Sequence, residues 1–320
     1  MTPATGASAT PRRLHLPAGT APGGAFVTEL TPQECGWDYS SLRVLELAPG
    51  AEATFRTGPD EMLVLPLSGA CAVTADGEEF GLRGRPDVFS RVTDFAYLPL
   101  DAAVTVRSAA GGRFALPGAR AGRRLPPRYG PAERVPVEIR GSGRATRQVN
   151  NFCSPEAFET DRLTSVEVLT PAGNWSSYPP HKHDQARPGE AVLEEIYYFE
   201  VGRGTAGSEG SDASASPDGA GTPGFGYQRV YSTDPARPID VLAEVRAGDV
   251  VLVPHGYHGP SMAAPGYDLY YLNVLAGPAE QRTMAFCDDP AHAWIRQSWD
   301  GQRLDPRLPM SGSAASEGVR

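Results

Sequence analysis

No two of the four cysteines stand close enough to form a CxxC pair. Cys35, Cys71, Cys153 and Cys287 are scattered, which argues against a cysteine framework and leaves buried, reduced thiols as the expectation. Long apolar runs are missing as well: nothing approaches the roughly 20 consecutive apolar residues that cross a bilayer. The opening stretch MTPATGASATPRRLHLPAG has no apolar core and does not read as a signal peptide, so a cytoplasmic protein with no membrane partner is expected. Positive charge is also short. Lys and Arg number 29 against 38 Asp and Glu, a formal net charge of −9, which argues against a nucleic-acid partner because phosphate binding needs clustered cations. No apolar stripe of 3.6-residue period runs for a useful length, so amphipathic helices are not expected.

What is present is turn chemistry between short apolar runs, with 36 Gly and 31 Pro. From Ala25 the runs are LRVLELAPG, EMLVLPLSG, CAVTADGEEF, FAYLPL, AAVTVRS and RFALPG, several of them β-branched and most bounded by Gly, Pro or Asp. An all-β chain is predicted, and the even spacing of short strands points to a sandwich or jelly roll. The basic, proline-rich stretch GARAGRRLPPRYGPAERVP, with Arg120, Arg123, Arg124 and Arg128, reads as a solvated connection. Beyond Val137 the same grammar returns in TSVEVLT, LEEIYYFEVG, FGYQRVYS, DVVLVP and YDLYYLNVLAG. EMLVLPLSG matches EEIYYFEVG and FAYLPL matches VVLVPHG, a faint internal duplication in which only the second copy carries histidines. The expected organisation is a loose arm over 1–24, a first all-β unit over 25–136 without metal ligands, a second over 137–300, and a loose tail over 301–320. The low-complexity insertion 203–223 lacks aromatics and is expected to be disordered.

Five of the six histidines lie in the second half. His181 and His183, in SYPPHKHD, are two apart, so on a strand both rings face one side, about 6.6 Å apart along the chain, while Lys182 faces the other. Glu194 and Glu195 open the strand-like run EEIYYF and must point to opposite faces; Glu195 is taken as the ligand and Glu194 as solvated or a general base. His255 and His258 follow the strand GDVVLVP around a glycine turn, and His258 is taken as the ligand with His255 at the pocket wall. Three imidazoles and one carboxylate suit one divalent ion, Zn, Mn, Fe, Co or Ni, without choosing among them.

These residues resemble the bicupin architecture, two jelly-roll β-barrel domains in tandem. One signature is carried by Gly173, His181, His183, Glu195 and Gly202, the other by Gly248, Pro254, Gly256 and His258, with Asn273 beyond. The gap from His183 to Glu195 is longer than the common cupin spacing, and Pro254 to His258 is one residue shorter. The strings RGSGRATRQVNNF, YPPHKHD, LEEIYYF, GFGYQRVY, GDVVLVPHGYHGP and YDLYYLNVLAG closely resemble the 5-deoxy-glucuronate isomerase family of inositol catabolism, itself similar to the metal-binding ketol-isomerases of uronate degradation. The resemblance extends through PAHAWIRQSW, where Trp294 and His292 are expected to close the barrel. It implies an aldose–ketose isomerisation of a small sugar acid, 5-deoxy-D-glucuronate to 2-deoxy-5-keto-D-gluconate. Candidates for the proton-transferring base are His255, Glu194 and Tyr257, with His255 first because its ordinary pKa lies nearest neutrality. Candidates for the substrate carboxylate are Arg229, then Arg147 and Lys182. Competing readings are an iron-dependent oxygenase of cupin type and a non-catalytic sugar-binding protein. A homo-oligomer is compatible with edge strands, although no interface patch stands out in the sequence.

Overall fold

The computed structural model describes residues 13–204 and 224–310. Its antiparallel strands build two barrels. The first is a curled nine-stranded sheet running from strand Phe26–Leu30 to strand Arg128–Gly130. The second sets a seven-stranded sheet, containing Glu194–Arg203 and Tyr267–Ala276, against a six-stranded sheet containing His181–Lys182 and Tyr257–Ala263. Among the described residues no helix is long and apolar enough to cross a membrane.

Alternation along the central strands explains why they read as unbroken apolar runs. On strand Asp60–Ala75, Met62 and Val64 enter the first barrel beside Leu45 and Phe114. Leu63 and Leu65 turn the other way, into a core shared with Ile196, Tyr198, Leu252 and Tyr270 of the second barrel. Tyr197 and Phe199 in turn enter the second barrel's interior. A strand buried on both faces has no polar side to show.

The duplication is visible in strand register. Met62 pairs with Leu98 on one side and Gly118 on the other, while Glu195 pairs with Val253 and Leu275. Met62 therefore occupies in the first barrel the place that Glu195 holds in the second, and an apolar interior replaces a polar one. One residue earlier, Glu61 and Glu194 also correspond, and each reaches into the other barrel. Glu61 accepts the backbone N–H of Asp161, Arg162 and Leu163 at 2.8, 2.6 and 2.8 Å. Glu194 accepts those of Asp38, Tyr39 and Ser40 at 2.7, 2.8 and 2.8 Å. A fully buried pair, Arg85 of the first barrel with Glu167 of the second, also joins the two, and Glu167 accepts from the Tyr270 hydroxyl at 2.8 Å.

Three expectations about loose segments need correction. The arm expected over 1–24 is bound from residue 15 onward: His15–Leu16 pairs with Val250–Val251, and the His15 ring meets Asp249 at 3.0 Å. The tail expected from 301 is anchored by Arg307, which donates to Ala172 O at 2.9 Å and Asn174 Oδ1 at 3.2 Å. In the connection expected to be solvated, Arg128 pairs with Glu159 at 3.3 Å and lies 4.6 Å from the Phe158 ring centre. The insertion expected over 203–223 lies outside the described residues apart from Arg203 and Gly204. Cys35, Cys71 and Cys153 are buried and Cys287 half-buried, all as free thiols.

Candidate metal centre and its cavity

Pro179 and Pro180 lead into the strand His181–Lys182, which pairs with Tyr257–Ala263 so that His181 stands opposite His258. Alternation turns His181 and His183 into the barrel and Lys182 out of it. Lys182, the sole lysine of the sequence, is held behind the strand by Glu190 at 2.7 Å and by Asp184. Glu195 approaches from the opposite sheet. His183 Nε2 and His258 Nε2 each lie 3.0 Å from Glu195 Oε2. The ligand atoms of this buried triplet all lie within 4.8 Å of one another. His181 falls outside the triplet, its ring centre 4.5 Å from that of His258 and 6.3 Å from that of His183.

Each imidazole turns Nδ1 toward a backbone carbonyl: His183 to Leu193 at 3.0 Å, His181 to Pro179 at 3.3 Å and His258 to Gly256 at 3.4 Å. A carbonyl only accepts, so these contacts place a proton on each Nδ1 and turn each Nε2 toward the centre, where that of His183 is hydrogen-bonded to Glu195. His258 Nε2 is close to Glu195 but off the line of a hydrogen bond, and it is buried without a partner among the described residues. Lone pairs and a carboxylate oxygen converging in this way are what a cation satisfies, and the outer carbonyls are the groups that orient metal-binding imidazoles. The donor set fits a divalent ion.

The electrostatics agree. Burial works to raise the Glu195 carboxyl, but His258 and His183 hold it well below the ordinary carboxylate range. Burial, then the rings of His258 and His183, push His181 well below the ordinary imidazole value. For His183, burial lowers the pKa, but the bond to Glu195, the Glu195 charge and the Leu193 carbonyl together raise it above the ordinary imidazole value. A proton and a metal ion therefore compete for the His183–Glu195 pair, and binding the ion releases the proton.

His183 and Glu195 of the triplet, with His181, line a cavity of about 470 Å³ whose polar lining also includes Tyr197, Tyr271, Asn273, Arg140, Arg147 and Arg296, while His258 stands buried behind them. Met284, Phe286 and Trp299, from the segment that follows the last long strand, cover it. Trp299, and not the expected Trp294, makes this contact; Trp294 is 62% exposed. Several other expected site residues do not line the cavity. Glu194 points into the first barrel, as described above. His255 is half-buried on an outer turn with Nε2 3.1 Å from Arg237 O. Tyr257 packs against Tyr231, ring centres 5.6 Å apart, on the face of its strand opposite His258. Arg229 is paired with Asp240, and Lys182 with Glu190. Among the expected carboxylate-binding residues, Arg147 alone reaches the cavity. Tyr197 was within reach of the period-two rule, being two residues beyond Glu195, and Asn273 faces it across the ladder. No local signal marks Arg140 or Arg296.

Two packed antiparallel barrels, one filled with apolar side chains and one cradling an imidazole–carboxylate cluster that could hold a metal ion, define a bicupin. The chain belongs to the KduI/IolB family, whose profile matches residues 14–295. It is 39% identical over 289 residues to the 5-deoxy-glucuronate isomerase of Geobacillus kaustophilus, covering 89% of this chain and 96% of that one. To the 5-deoxy-glucuronate isomerase of Bacillus subtilis it is 37% identical over 276 residues, 85% of this chain and 93% of that one. The crystal structure of an IolB-like protein from Salmonella typhimurium superposes with a TM-score of 0.76 at 32% identity, covering 89% of this chain and 99% of that one. Lactobacillus farciminis oxalate decarboxylase shares the fold, with a TM-score of 0.57 at 13% identity over 88% of this chain and 89% of that one.

Proposed function

We propose that the protein is a metal-dependent aldose–ketose isomerase that converts 5-deoxy-D-glucuronate to 2-deoxy-5-keto-D-gluconate in inositol catabolism, in a cytoplasm that keeps its four thiols reduced. One observation carries the reading: His183 and Glu195 of the His183–Glu195–His258 triplet, with His181, line a cavity of about 470 Å³, within the range of small-molecule sites. The similarity to proteins named 5-deoxy-glucuronate isomerase supports the choice of substrate. His183, Glu195 and His258, with His181 beside them, would hold one divalent ion, and Zn, Mn, Fe, Co and Ni all suit these donors. Such an ion, bound there, would supply Lewis acidity to the reacting end of the substrate.

The chain's own residues supply positioning and protons. Moving a carbonyl from C1 to C2 transfers one proton between those carbons and needs donors at both oxygens. Burial first, and then the Glu195 charge, raises the Tyr197 hydroxyl well above its ordinary value, so it stays protonated and donates. Ser177 Oγ, 3.0 Å away, fixes its direction. Asn273 lines the cavity beside it, and its Nδ2, buried without a geometric hydrogen bond among the described residues, can donate to substrate. His181 lines the cavity as a neutral imidazole with Nδ1 turned to Pro179 O, which leaves its Nε2 as the fourth donor. His255, Glu194 and Tyr257 do not line the cavity, so the transfer is assigned to groups that do.

The test is incubation of metal-loaded protein with 5-deoxy-glucuronate in deuterated water, without oxygen, followed by NMR. A ketone signal is expected; deuterium at the former aldehyde carbon marks proton transfer through an exchanging base. Metal-loaded protein that yields no ketone overturns the proposal, and a strict requirement for oxygen and ferrous iron moves the chain to the oxygenases.

A further inference from the structure

Three guanidiniums, Arg140, Arg147 and Arg296, line the same cavity as His183 and Glu195, and they are not equivalent. Arg140 meets Glu138 at 2.7 Å, and Arg296 forms a two-bond pair with Asp288. Arg147 has no carboxylate partner among the described residues. Its hydrogen bond is to Ala145 O at 3.3 Å, its guanidinium lies 5.9 Å from the Trp299 ring centre, and the residue is only 9% exposed. Burial lowers its pKa to about 10, with the Arg140 and Arg296 charges adding to the effect and Tyr271 opposing it, so it remains a cation at neutral pH. A buried cation without a counter-charge is expensive to keep, and no carboxylate among the described residues pairs with it.

The surroundings are shaped to keep this guanidinium in place. Gly141 has φ +77°, and a Cβ there would come within 2.7 Å of Arg147 Nη1. Strands Arg147–Asn151 and Glu194–Arg203 are separated in the sheet by Thr164–Thr170 and Tyr267–Ala276. Three strand spacings, about 14 Å along the curved sheet, thus divide the roots of Arg147 and Glu195, and both side chains reach inward. Glu195 is the one carboxylate among the described residues lining the cavity. The cavity is therefore bipolar, with metal donors at one end and surplus positive charge at the other.

We propose that Arg147, flanked by Arg140 and Arg296, is the carboxylate-binding subsite of this cavity and makes the protein selective for sugar acids over neutral sugars of the same length. The substrate lies extended, its carboxylate on the guanidinium and its carbonyl end at His183, Glu195 and His258. Planar bidentate recognition of a carboxylate is what a guanidinium does best. The inference deepens the isomerase reading and rests on it for the placement of the carbonyl end.

The test is calorimetric titration of the metal-loaded full chain with D-gluconate, D-glucitol and D-glucitol 6-phosphate. Gluconate should bind at least about tenfold more tightly than glucitol, and Arg147→Met should weaken gluconate by on the order of 10²-fold while leaving glucitol unchanged. Arg147→Lys should recover part of the loss. Arg147→Met should also melt no lower than the parent, because it removes an uncompensated buried charge and keeps an apolar stem beside Trp299. Gluconate affinity that ignores Arg147→Met overturns the proposal. So does a Met variant that loses its fold, which would make Arg147 structural, and so does phosphate binding tighter than carboxylate. Turnover of 5-deoxy-glucuronate is measured separately. No turnover together with Arg147-dependent gluconate binding retires the isomerase reading and keeps the subsite; normal turnover with Arg147-independent binding retires the subsite alone.

Discussion

Cutting back Glu194 separates two duties that adjacent carboxylates on one strand have divided. Glu194→Ala deprives three backbone N–H groups of acceptors at 2.7, 2.8 and 2.8 Å. A buried unsatisfied donor costs about 1–3 kcal/mol, but Asp38 is exposed and water replaces the carboxylate there. Burial raises the Glu194 carboxyl in spite of its three donors, so the ionised group is incompletely compensated in the native protein. The loss should therefore be about 2 kcal/mol for Glu194→Ala and about 1 kcal/mol for Glu194→Gln, which keeps one acceptor. The equivalent Glu61 is dry, with no exposed surface, and also accepts the Tyr97 hydroxyl at 2.7 Å. Glu61→Ala strands four donors and should cost about 4 kcal/mol. Equilibrium urea unfolding measures the stabilities, and isomerase assays on the folded variants measure turnover. Glu194→Gln should keep kcat within about twofold. A fall of about 10²-fold or more in kcat at unchanged stability would refute the structural role and return Glu194 to proton transfer. A Glu61→Ala protein as stable as the parent would dismantle the paired clasp.

His258→Ala removes one of three converging donors, so metal affinity should fall by more than the roughly 10–100-fold typical of outer-shell partners; stoichiometric metal in the purified variant would contradict the site. Glu190 gives the pH dependence. Burial opposes its ionisation, but Lys182 first, then Cys287, the Asp184 N–H and Arg187, bring its pKa down to about 2 from an ordinary 4.5. A depressed carboxyl stabilises fully above about pH 4.5 and loses that share as pH falls through about 2, at most about 3 kcal/mol and on the order of 1 kcal/mol after solvent screening. Melting curves over that window should show the loss in the parent, and Glu190→Gln should lack it. Arg85→Met leaves the Glu167 carboxylate without its buried partner and should cost about 3–5 kcal/mol in thermal or urea unfolding. The double variant Arg85→Met, Glu167→Leu should recover part of this, and full additivity of the two losses would argue against direct pairing.

The residue pattern by itself determined that the chain is all-β, because turn residues recur too often for helices. It also determined that His181 and His183 share a face, since strand side chains alternate. The same rule required Glu194 and Glu195 to part company, but it could not say which one enters the barrel. Strand Glu194–Arg203 is buried on both faces, one toward the cavity and one toward the other barrel, so local polarity does not tell them apart. Barrel docking made that choice, giving Glu195 to the imidazoles and Glu194 to the loop at residues 38–40. The carboxylate-binding candidates failed to sort for a related reason: Arg229, Lys182 and Arg147 all lie in polar strings, and their neighbours come from distant strands. Arg296 reaches the cavity only because the segment after the last long strand folds back, pairing Asp288 with His181. Periodicity assigns a side chain to one of two faces; closure of the sheets decides what each face meets, and that depends on long-range pairings that leave no local trace in the sequence.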